Sequence, residues 1–290
     1  MSDTLRPRRS ALYMPGANER ALEKAKGIPA DALILDLEDA VAPDAKEEAR
    51  VRVCAAASSG EYGSKEIVIR VNGIGTQWHD ADIAAAADAA PDAVLVPKVN
   101  SAAEVAALVD ALEKGGAPVS TKLWAMLETP VAVTDAVAIC TASERLTVLV
   151  LGTNDLAKEL QAIARPGRAA LQYGLQACVL AARQAGKVIL DGVYNDIKDE
   201  AGFLAECQQG REMGFDGKTL IHPSQLEPCN DVFAPGEAEI ESAREIIAAF
   251  TEATAAGKGV VTVNGRMIEN LHVDNARRIL ALADAIAAQT

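Results

Sequence analysis

The sequence predicts a (β/α)8 barrel, an α/β fold in which eight parallel strands alternate with helices. Three observations support this prediction. Eight short Val/Ile/Leu-rich stretches recur along the chain, they lack the polar alternation of half-exposed strands, and each is followed by an alanine-rich helical segment. The predicted strands are, in order, Ser10–Pro15, Ala32–Asp39, Glu66–Asn72, Ala93–Val99, Lys122–Thr129, Leu146–Asp155, Lys187–Tyr194 and Lys218–Pro223.

Helices are predicted between these strands from alanine, leucine and charged residues at helical spacing. Ser101, with Glu104 three residues later, forms a capping-box pattern at the start of one of them. The stretch Leu156–Tyr173 is predicted to be an irregular loop, whose Arg165 and Arg168 either are solvated or face an anionic substrate. The clearest predicted helices are Asn18–Lys26, Ala45–Ala57, Ser101–Lys114, Leu171–Ala185 and Asp199–Met213.

The chain continues past the eighth strand for longer than a barrel needs. We therefore expect a catalytic barrel over residues 1–230 and a C-terminal extension over residues 231–290. The extension is expected to be a lid over the active face or an arm that packs on a neighbouring subunit. Its predicted elements are a helix over Ala238–Ala255 that ends at Gly257, a hairpin of Gly259–Val263 and Arg266–Ile268 joined by an Asn264–Gly265 turn, and a last helix over Leu271–Ala288.

Composition restricts the class of partner. The formal net charge is −13, so nucleic acid and anionic membranes would be repelled by most of the surface, whereas a local basic patch could still bind a CoA thioester. The five cysteines have no CxxC spacing, which argues against a zinc site or a disulfide framework. No signal peptide or membrane-spanning run is apparent, so we expect a cytoplasmic protein with reduced thiols.

Carboxylates lie at the carboxyl ends of three of the predicted strands and would therefore lie on the active face of the barrel. Asp36, Glu38 and Asp39 are at the end of the second strand, Glu128 at the end of the fifth and Asp155 at the end of the sixth. Neighbouring strands five and six would bring Glu128 and Asp155 together, and two carboxylates with water and substrate oxygens suit Mg²⁺. Each carboxylate alone could equally be a helix cap or an ion-pair partner.

Arg70 lies in the otherwise apolar stretch Ile67–Val71 of the third predicted strand. In that position its guanidinium could point into the pocket opposite the carboxylates and stabilise an oxyanion. The alternative is a buried structural ion pair. Further polar residues at the ends of predicted strands are Lys98, Asp191 and His222.

Eight segments of the chain closely resemble the citrate lyase β-subunit-like family, which includes malyl-CoA, β-methylmalyl-CoA and citramalyl-CoA lyases and malyl-CoA thioesterase. The resemblance runs from about Arg9 to the last predicted helix. It supports the barrel and implies an Mg²⁺-dependent enzyme, with Mn²⁺ as a substitute metal, that acts on a CoA thioester. The segments are Arg9–Gly16, Asp31–Arg50, Ile67–Gly73, Val94–Val99, Ala125–Pro130, Leu151–Leu156, Asp191–Asp199 and Gly217–Gln225.

The resemblance also implies roles for the acidic residues and for Arg70. Glu128 and Asp155 would bind the metal, and Glu38 and Asp39 would lie around its waters. Arg70 would contact the oxygen of the keto acid or of the thioester.

The first loop, Pro15–Lys26, matches the loop that binds CoA in this family. Arg20, Lys24 and Lys26 are therefore candidates for contacts with CoA phosphates, although they are equally ordinary as charges on a helix surface.

One departure from the family pattern lies in the extension. Lyases of the family carry a G-x-M-I-D segment whose aspartate acts as general base in a neighbouring subunit's site, and here the matching segment has Glu269 at that position. Glutamate is as basic as aspartate and one methylene longer, so it could serve as this base, activate water, or take no part. An arm that completes a neighbour's site implies a homotrimer or hexamer.

These features favour a carbon–carbon lyase that cleaves a short β-hydroxyacyl-CoA to glyoxylate or pyruvate and an acyl-CoA. The principal alternative is a (3S)-malyl-CoA thioesterase that uses the same metal site, because the change at Glu269 could place a carboxylate to activate water. A metal-dependent aldolase without CoA and a non-enzymatic subunit are the remaining alternatives.

Overall fold

The computed structural model describes residues 6–255 and 261–289. Eight parallel strands form a closed barrel in chain order, and β1 pairs with β8 to close it. This barrel confirms the predicted (β/α)8 fold. The strands are β1 (Ser10–Pro15), β2 (Ala32–Asp36), β3 (Glu66–Arg70), β4 (Ala93–Val96), β5 (Lys122–Leu127), β6 (Leu146–Leu151), β7 (Val188–Asp191) and β8 (Gly217–Leu220).

Most strands end earlier than the sequence pattern predicts, because polar residues turn the chain at their carboxyl ends. After β2, the carboxylate of Asp36 accepts hydrogen bonds from the backbone N–H groups of Glu38 and Ala40, at 2.9 and 3.0 Å. These bonds replace the ladder bonds that would extend the strand and form an Asx-type turn. Most of the residues predicted as strand ends therefore lie beyond the strands, in loops or first helical turns above the barrel.

Helices follow the strands and cover the outside of the barrel. Ser101 caps its helix as predicted, since its side chain accepts a hydrogen bond from the backbone N–H of Glu104. The helices are α1 (Glu19–Ala25), α2 (Lys46–Ser58), α3 (His79–Ala89), α4 (Ala102–Lys114), α5 (Pro130–Thr134), α6 (Ala136–Thr141), α7 (Thr153–Glu159), α8 (Gln172–Gln184), α9 (Glu200–Met213) and α10 (Leu226–Phe233).

The prediction of an irregular loop after β6 is wrong for the first part of that stretch. Helix α7 begins at Thr153, so Asp155 lies in the first turn of a helix. A short helix was missed there because seven residues are too few to show helical periodicity.

The barrel interior is filled by small and branched side chains that alternate with outward-facing residues along each strand. Trp124 on β5 is fully buried in this core, and Tyr13 on β1 packs against its edge. The floor of the active face is therefore an apolar layer, and the charged residues of the loops lie above it.

Residues Arg8–Asn230 form one compact unit, and the described residues from Asp231 onward, together with Arg6 and Pro7, form a second unit. It contains α11 (Glu237–Ala255), an antiparallel hairpin of β9 (Val261–Val263) and β10 (Arg266–Ile268), and α12 (Asn270–Ala287). Asn264 and Gly265 both have positive φ, as expected for a two-residue hairpin turn. The predicted helix end at Gly257 and the start of the predicted strand at Gly259 lie outside the described residues.

No helix within residues 6–255 and 261–289 is long and apolar enough to cross a membrane.

Candidate active site

Two neighbouring cavities open at the carboxyl ends of the strands. The smaller one has a volume of about 290 Å³ and the larger one about 590 Å³, and Asp39 borders both. The smaller cavity is lined by the ends of β1, β2, β3, β5 and β6 and by the β7–α9 loop. Its polar lining residues include Tyr13, Asp36, Asp39, Arg70, Glu128, Thr153, Asn154, Asp155, Asn195 and Thr219. Glu38 and Lys98 line the larger cavity.

Glu128 and Asp155, the two predicted metal ligands, both face the smaller cavity and are linked by Lys98. The backbone N–H of Lys98 donates to Glu128 Oε1 at 2.9 Å, and its Nζ lies 3.3 Å from Asp155 Oδ1. Burial, followed by the negative charge of Asp155, raises the pKa of Glu128 to about 7. Gly152 packs against Glu128 so closely that a Cβ there would overlap the carboxylate, so this glycine leaves room for Glu128.

This donor set fits a magnesium ion. Two carboxylates that repel each other beside a polar cavity would be stabilised by a divalent cation, and oxygen ligands suit Mg²⁺. In the part of the chain that the structure describes, no group of three or more His, Cys, Asp or Glu residues is arranged to hold a metal. The remaining ligands would therefore come from water and substrate, as Mg²⁺ commonly requires.

Arg70 is buried, and its guanidinium fork is occupied by Asp36. Its Nε and Nη2 lie 2.6 and 2.7 Å from the two carboxylate oxygens of Asp36. The third nitrogen, Nη1, lies 2.7 Å from Glu38 and 3.4 Å from Asp39. The buried ion pair considered as the alternative is thus present, and Nη1 is the nitrogen that faces the predicted catalytic carboxylates.

Glu38 is held in a position where its carboxylate is only partly ionised at neutral pH. Burial raises its pKa to about 7 against the opposing effect of Arg70, and the charges of Asp39 and Glu128 add to the rise. A carboxylate with this pKa can both accept and return a proton near neutral pH.

Lys46, which the sequence analysis did not single out, fixes the loop that carries Glu38. Its Nζ donates hydrogen bonds to the backbone carbonyls of Leu37 and Glu38, both at 2.8 Å, and lies 5.0 Å from the ring centre of Trp78. Burial lowers the pKa of Lys46. No sequence signal marks this residue, because a lysine in the first turn of a helix is ordinarily a surface charge.

A buried ionic cluster lies beneath the β7–α9 loop. Asp191 accepts from Arg168 Nη1 at 2.7 Å and from Lys218 Nζ at 3.0 Å, and Lys218 also contacts Glu206 at 2.7 Å. The sequence-based expectation that Arg168 is solvated or faces a substrate is therefore wrong, because Arg168 is buried and paired with Asp191. It anchors its loop to Asp191, whereas Arg165 is exposed. The positive charges of Lys218 and Arg168 hold the pKa of Asp191 below its usual value despite complete burial.

The predicted CoA-binding residues lie on or beside α1. Arg20 and Lys24 are exposed, whereas Lys26 forms ion pairs with Glu23 and with Glu61, the latter at 2.6 Å. Those two glutamates raise the pKa of Lys26 and already offset its charge. Arg20 and Lys24 are thus the better placed of the three for phosphate contacts.

Glu269 and His222 complete the set of predicted site residues. Glu269 is exposed in the second unit at the amino end of α12, where its backbone N–H donates to His272 Nδ1 at 3.0 Å. His222 follows β8 and caps a short 3-10 turn by accepting from the backbone N–H of Ser224.

A closed parallel barrel with an acidic cavity at the carboxyl ends of its strands is the architecture of TIM-barrel enzymes. The family model described as HpcH/HpaI aldolase/citrate lyase matches residues 9–223, and the chain belongs to this family. This result confirms the resemblance found in the sequence.

Curated relatives cover nearly the whole chain. A (3S)-malyl-CoA thioesterase of Cereibacter sphaeroides (strain ATCC 17029) is 54% identical over 99% of both chains. The citrate lyase subunit beta of Escherichia coli is 38% identical over 96% of this chain and 94% of its own. A crystal structure of CitE from Mycobacterium tuberculosis in complex with magnesium, acetoacetate and coenzyme A is 28% identical, with a TM-score of 0.78 over 95% of this chain and 97% of that one.

Proposed function

We propose that this protein is a (3S)-malyl-CoA thioesterase, which hydrolyses its substrate to malate and free CoA. The observation that carries the proposal is the 54% identity, over 99% of both chains, to a relative with that name. The sequence features favour carbon–carbon cleavage over hydrolysis, whereas the name of this relative favours hydrolysis. The description of the family also names an aldolase, so the metal-dependent aldolase remains an alternative at the level of the family.

Glu128 and Asp155 would hold Mg²⁺, which when bound supplies Lewis-acid polarisation of a substrate oxygen. The M. tuberculosis relative, with magnesium and coenzyme A in its complex, supports the assignment of both groups to this fold. The short acyl part of the substrate would occupy the 290 Å³ cavity beside these carboxylates. Arg20 and Lys24 on α1 would contact the CoA phosphates.

Hydrolysis requires a base that removes a proton from water as the water oxygen bonds to the thioester carbon. Glu38 suits this role, because its pKa of about 7 leaves a substantial ionised fraction at neutral pH. Arg70 Nη1, 2.7 Å from Glu38, would restrain the base and contribute positive charge beside the reacting carbonyl. Asp39, at the border of the two cavities, would orient the attacking water. The carbon–sulfur bond then breaks, and the CoA thiolate leaves and takes up a proton.

Glu269 is the second candidate for this base, supplied by a neighbouring subunit of a trimer or hexamer. Its exposure in the second unit is compatible with such an arm. The two candidates predict different outcomes for E38Q and E269Q. A base in the barrel makes E38Q the more damaging substitution, and a base supplied in trans makes E269Q the more damaging one.

Carbon–carbon cleavage remains the second candidate activity, favoured by the 38% identity to a citrate lyase subunit beta. Both reactions develop negative charge on the thioester oxygen, so the same residues could serve either.

The proposal is tested by thiol release from (3S)-malyl-CoA, followed with a thiol-reactive dye in the presence of Mg²⁺ and then of a chelator. We expect release that depends on Mg²⁺, a loss of about 100-fold in E128Q, and no change in E113Q, which alters an exposed glutamate on α4. Thiol release that is unaffected by both the chelator and E128Q would contradict the metal assignment. Absence of thiol release from the wild type would contradict the function.

A further inference from the structure

Tyr13 on β1 is placed at the floor of the smaller cavity, among the residues proposed to act on the substrate. Its ring stacks under the guanidinium of Arg70, whose carbon lies 4.7 Å from the ring centre. Met126 and Glu128, from β5 and the residue that follows it, line the same cavity. The phenol therefore lies within the group of side chains that surround the reacting atoms.

The hydroxyl of Tyr13 has a weak partner in the protein. Among the described residues its hydrogen bond goes to Met126 Sδ at 3.9 Å, and a thioether sulfur is a poor acceptor. Buried tyrosine hydroxyls ordinarily have an oxygen or nitrogen partner, because an unsatisfied polar group is costly away from water. A hydroxyl that lines a polar cavity without such a partner is free to donate to a bound ligand.

The phenol of Tyr13 is protonated at neutral pH, as that of an ordinary tyrosine is. Burial raises its pKa above the ordinary value, and the carboxylates of Asp36, Glu128 and Glu38 add to the rise against the opposing charge of Arg70. Those carboxylates are pure acceptors when ionised, whereas the phenol can donate. Tyr13 and Arg70 Nη1 are thus two donors that lie beside these carboxylates and can face an oxyanion in the cavity.

We propose that Tyr13 is a catalytic residue whose hydroxyl donates a hydrogen bond to the thioester carbonyl oxygen as negative charge develops on it. The proposal rests on the proposed function for the identity of that oxygen. Donors placed where charge develops stabilise the transition state more than the bound substrate. Tyr13 therefore acts mainly on kcat.

The test is Y13F, which removes one oxygen atom and retains the ring beneath Arg70. We expect kcat for (3S)-malyl-CoA hydrolysis to fall about 100-fold, KM to change less than about threefold, and the melting temperature to stay within about 2 °C. Y173F removes a hydroxyl from an exposed tyrosine on α8 and serves as the matched control, with no change in either constant. M126L removes the sulfur and keeps the phenol, so its kcat should fall far less than that of Y13F.

A kcat of Y13F within twofold of the wild-type value would overturn the proposal. A loss of kcat in M126L as large as that in Y13F would also overturn it, because the effect would then belong to the Tyr13–Met126 contact. If the wild type forms keto acid instead of thiol, the proposed function is wrong. The kcat of Y13F relative to that of the wild type is then measured for keto-acid formation, because the enolate formed in that reaction places negative charge on the same oxygen. A non-hydrolysable analogue with methylene in place of sulfur gives a readout without turnover. We expect Y13F to bind it about twofold more weakly than the wild type, in line with the small expected change in KM. If the wild type forms neither product, equal binding overturns the proposal.

Discussion

Replacing Glu38 by glutamine should change how stability depends on pH. The carboxyl of Glu38 ordinarily titrates at 4.5 and in the folded protein at about 7. Between these values the folded state binds more protons than the unfolded state, so the contribution of Glu38 to stability is complete below about pH 4.5 and is lost as the pH rises through 7. The full shift corresponds to about 3 kcal/mol. Glutamine does not ionise, so E38Q avoids this loss.

The effect is measured by urea unfolding, followed by circular dichroism in a chelator, from pH 5.5 to 8.5. Over this range the free energy of unfolding of E38Q should rise relative to that of the wild type by about 2 kcal/mol. E144Q, which alters a fully exposed glutamate, should show no such trend. A difference between E38Q and the wild type that stays constant with pH, or that falls as the pH rises, would refute the assigned burial of an acidic Glu38 and its role as base.

Three further substitutions test the supports of the site. K46M removes the ammonium group that binds two backbone carbonyls of the Glu38 loop. The free energy of unfolding should fall by about 2 kcal/mol, and kcat should fall as well. K46R should partly restore both values. D191N leaves the buried charges of Lys218 and Arg168 poorly paired, and urea unfolding should show a loss of about 3 kcal/mol. G152A displaces the Glu128 carboxylate, so steady-state assays should show a loss of about 100-fold in kcat with an unchanged far-ultraviolet spectrum. Unchanged values in any of the three would contradict the corresponding contact.

The barrel could be predicted from the sequence because most of its strands contain continuous apolar runs, and such runs are a local property of the chain. The same logic placed Glu128 and Asp155 at neighbouring strand ends, and the structure brings both to one cavity. Strand ends were predicted too late because the turn after β2 depends on side-chain bonds from Asp36, which compete with the strand ladder.

The contacts that define the electrostatics of the site could not be predicted, because they join residues far apart in the chain. Arg168 and Asp191 are 23 residues apart, and nothing local distinguishes a solvated arginine from one that anchors a loop. The proposed role of Tyr13 was missed in the sequence because a tyrosine in an apolar strand ordinarily belongs to the hydrophobic core. Its role is visible only from Arg70 above its ring and from the cavity beside it.

The central claim is that this protein cleaves the carbon–sulfur bond of (3S)-malyl-CoA and leaves its carbon–carbon bonds intact. The most direct measurement follows a single reaction of the purified wild type with (3S)-malyl-CoA and Mg²⁺, with thiol and keto acid quantified separately in the same samples. The account predicts thiol in amounts equal to the substrate consumed, without keto acid. Keto acid in amounts equal to the substrate consumed, without thiol, would contradict it and establish a lyase.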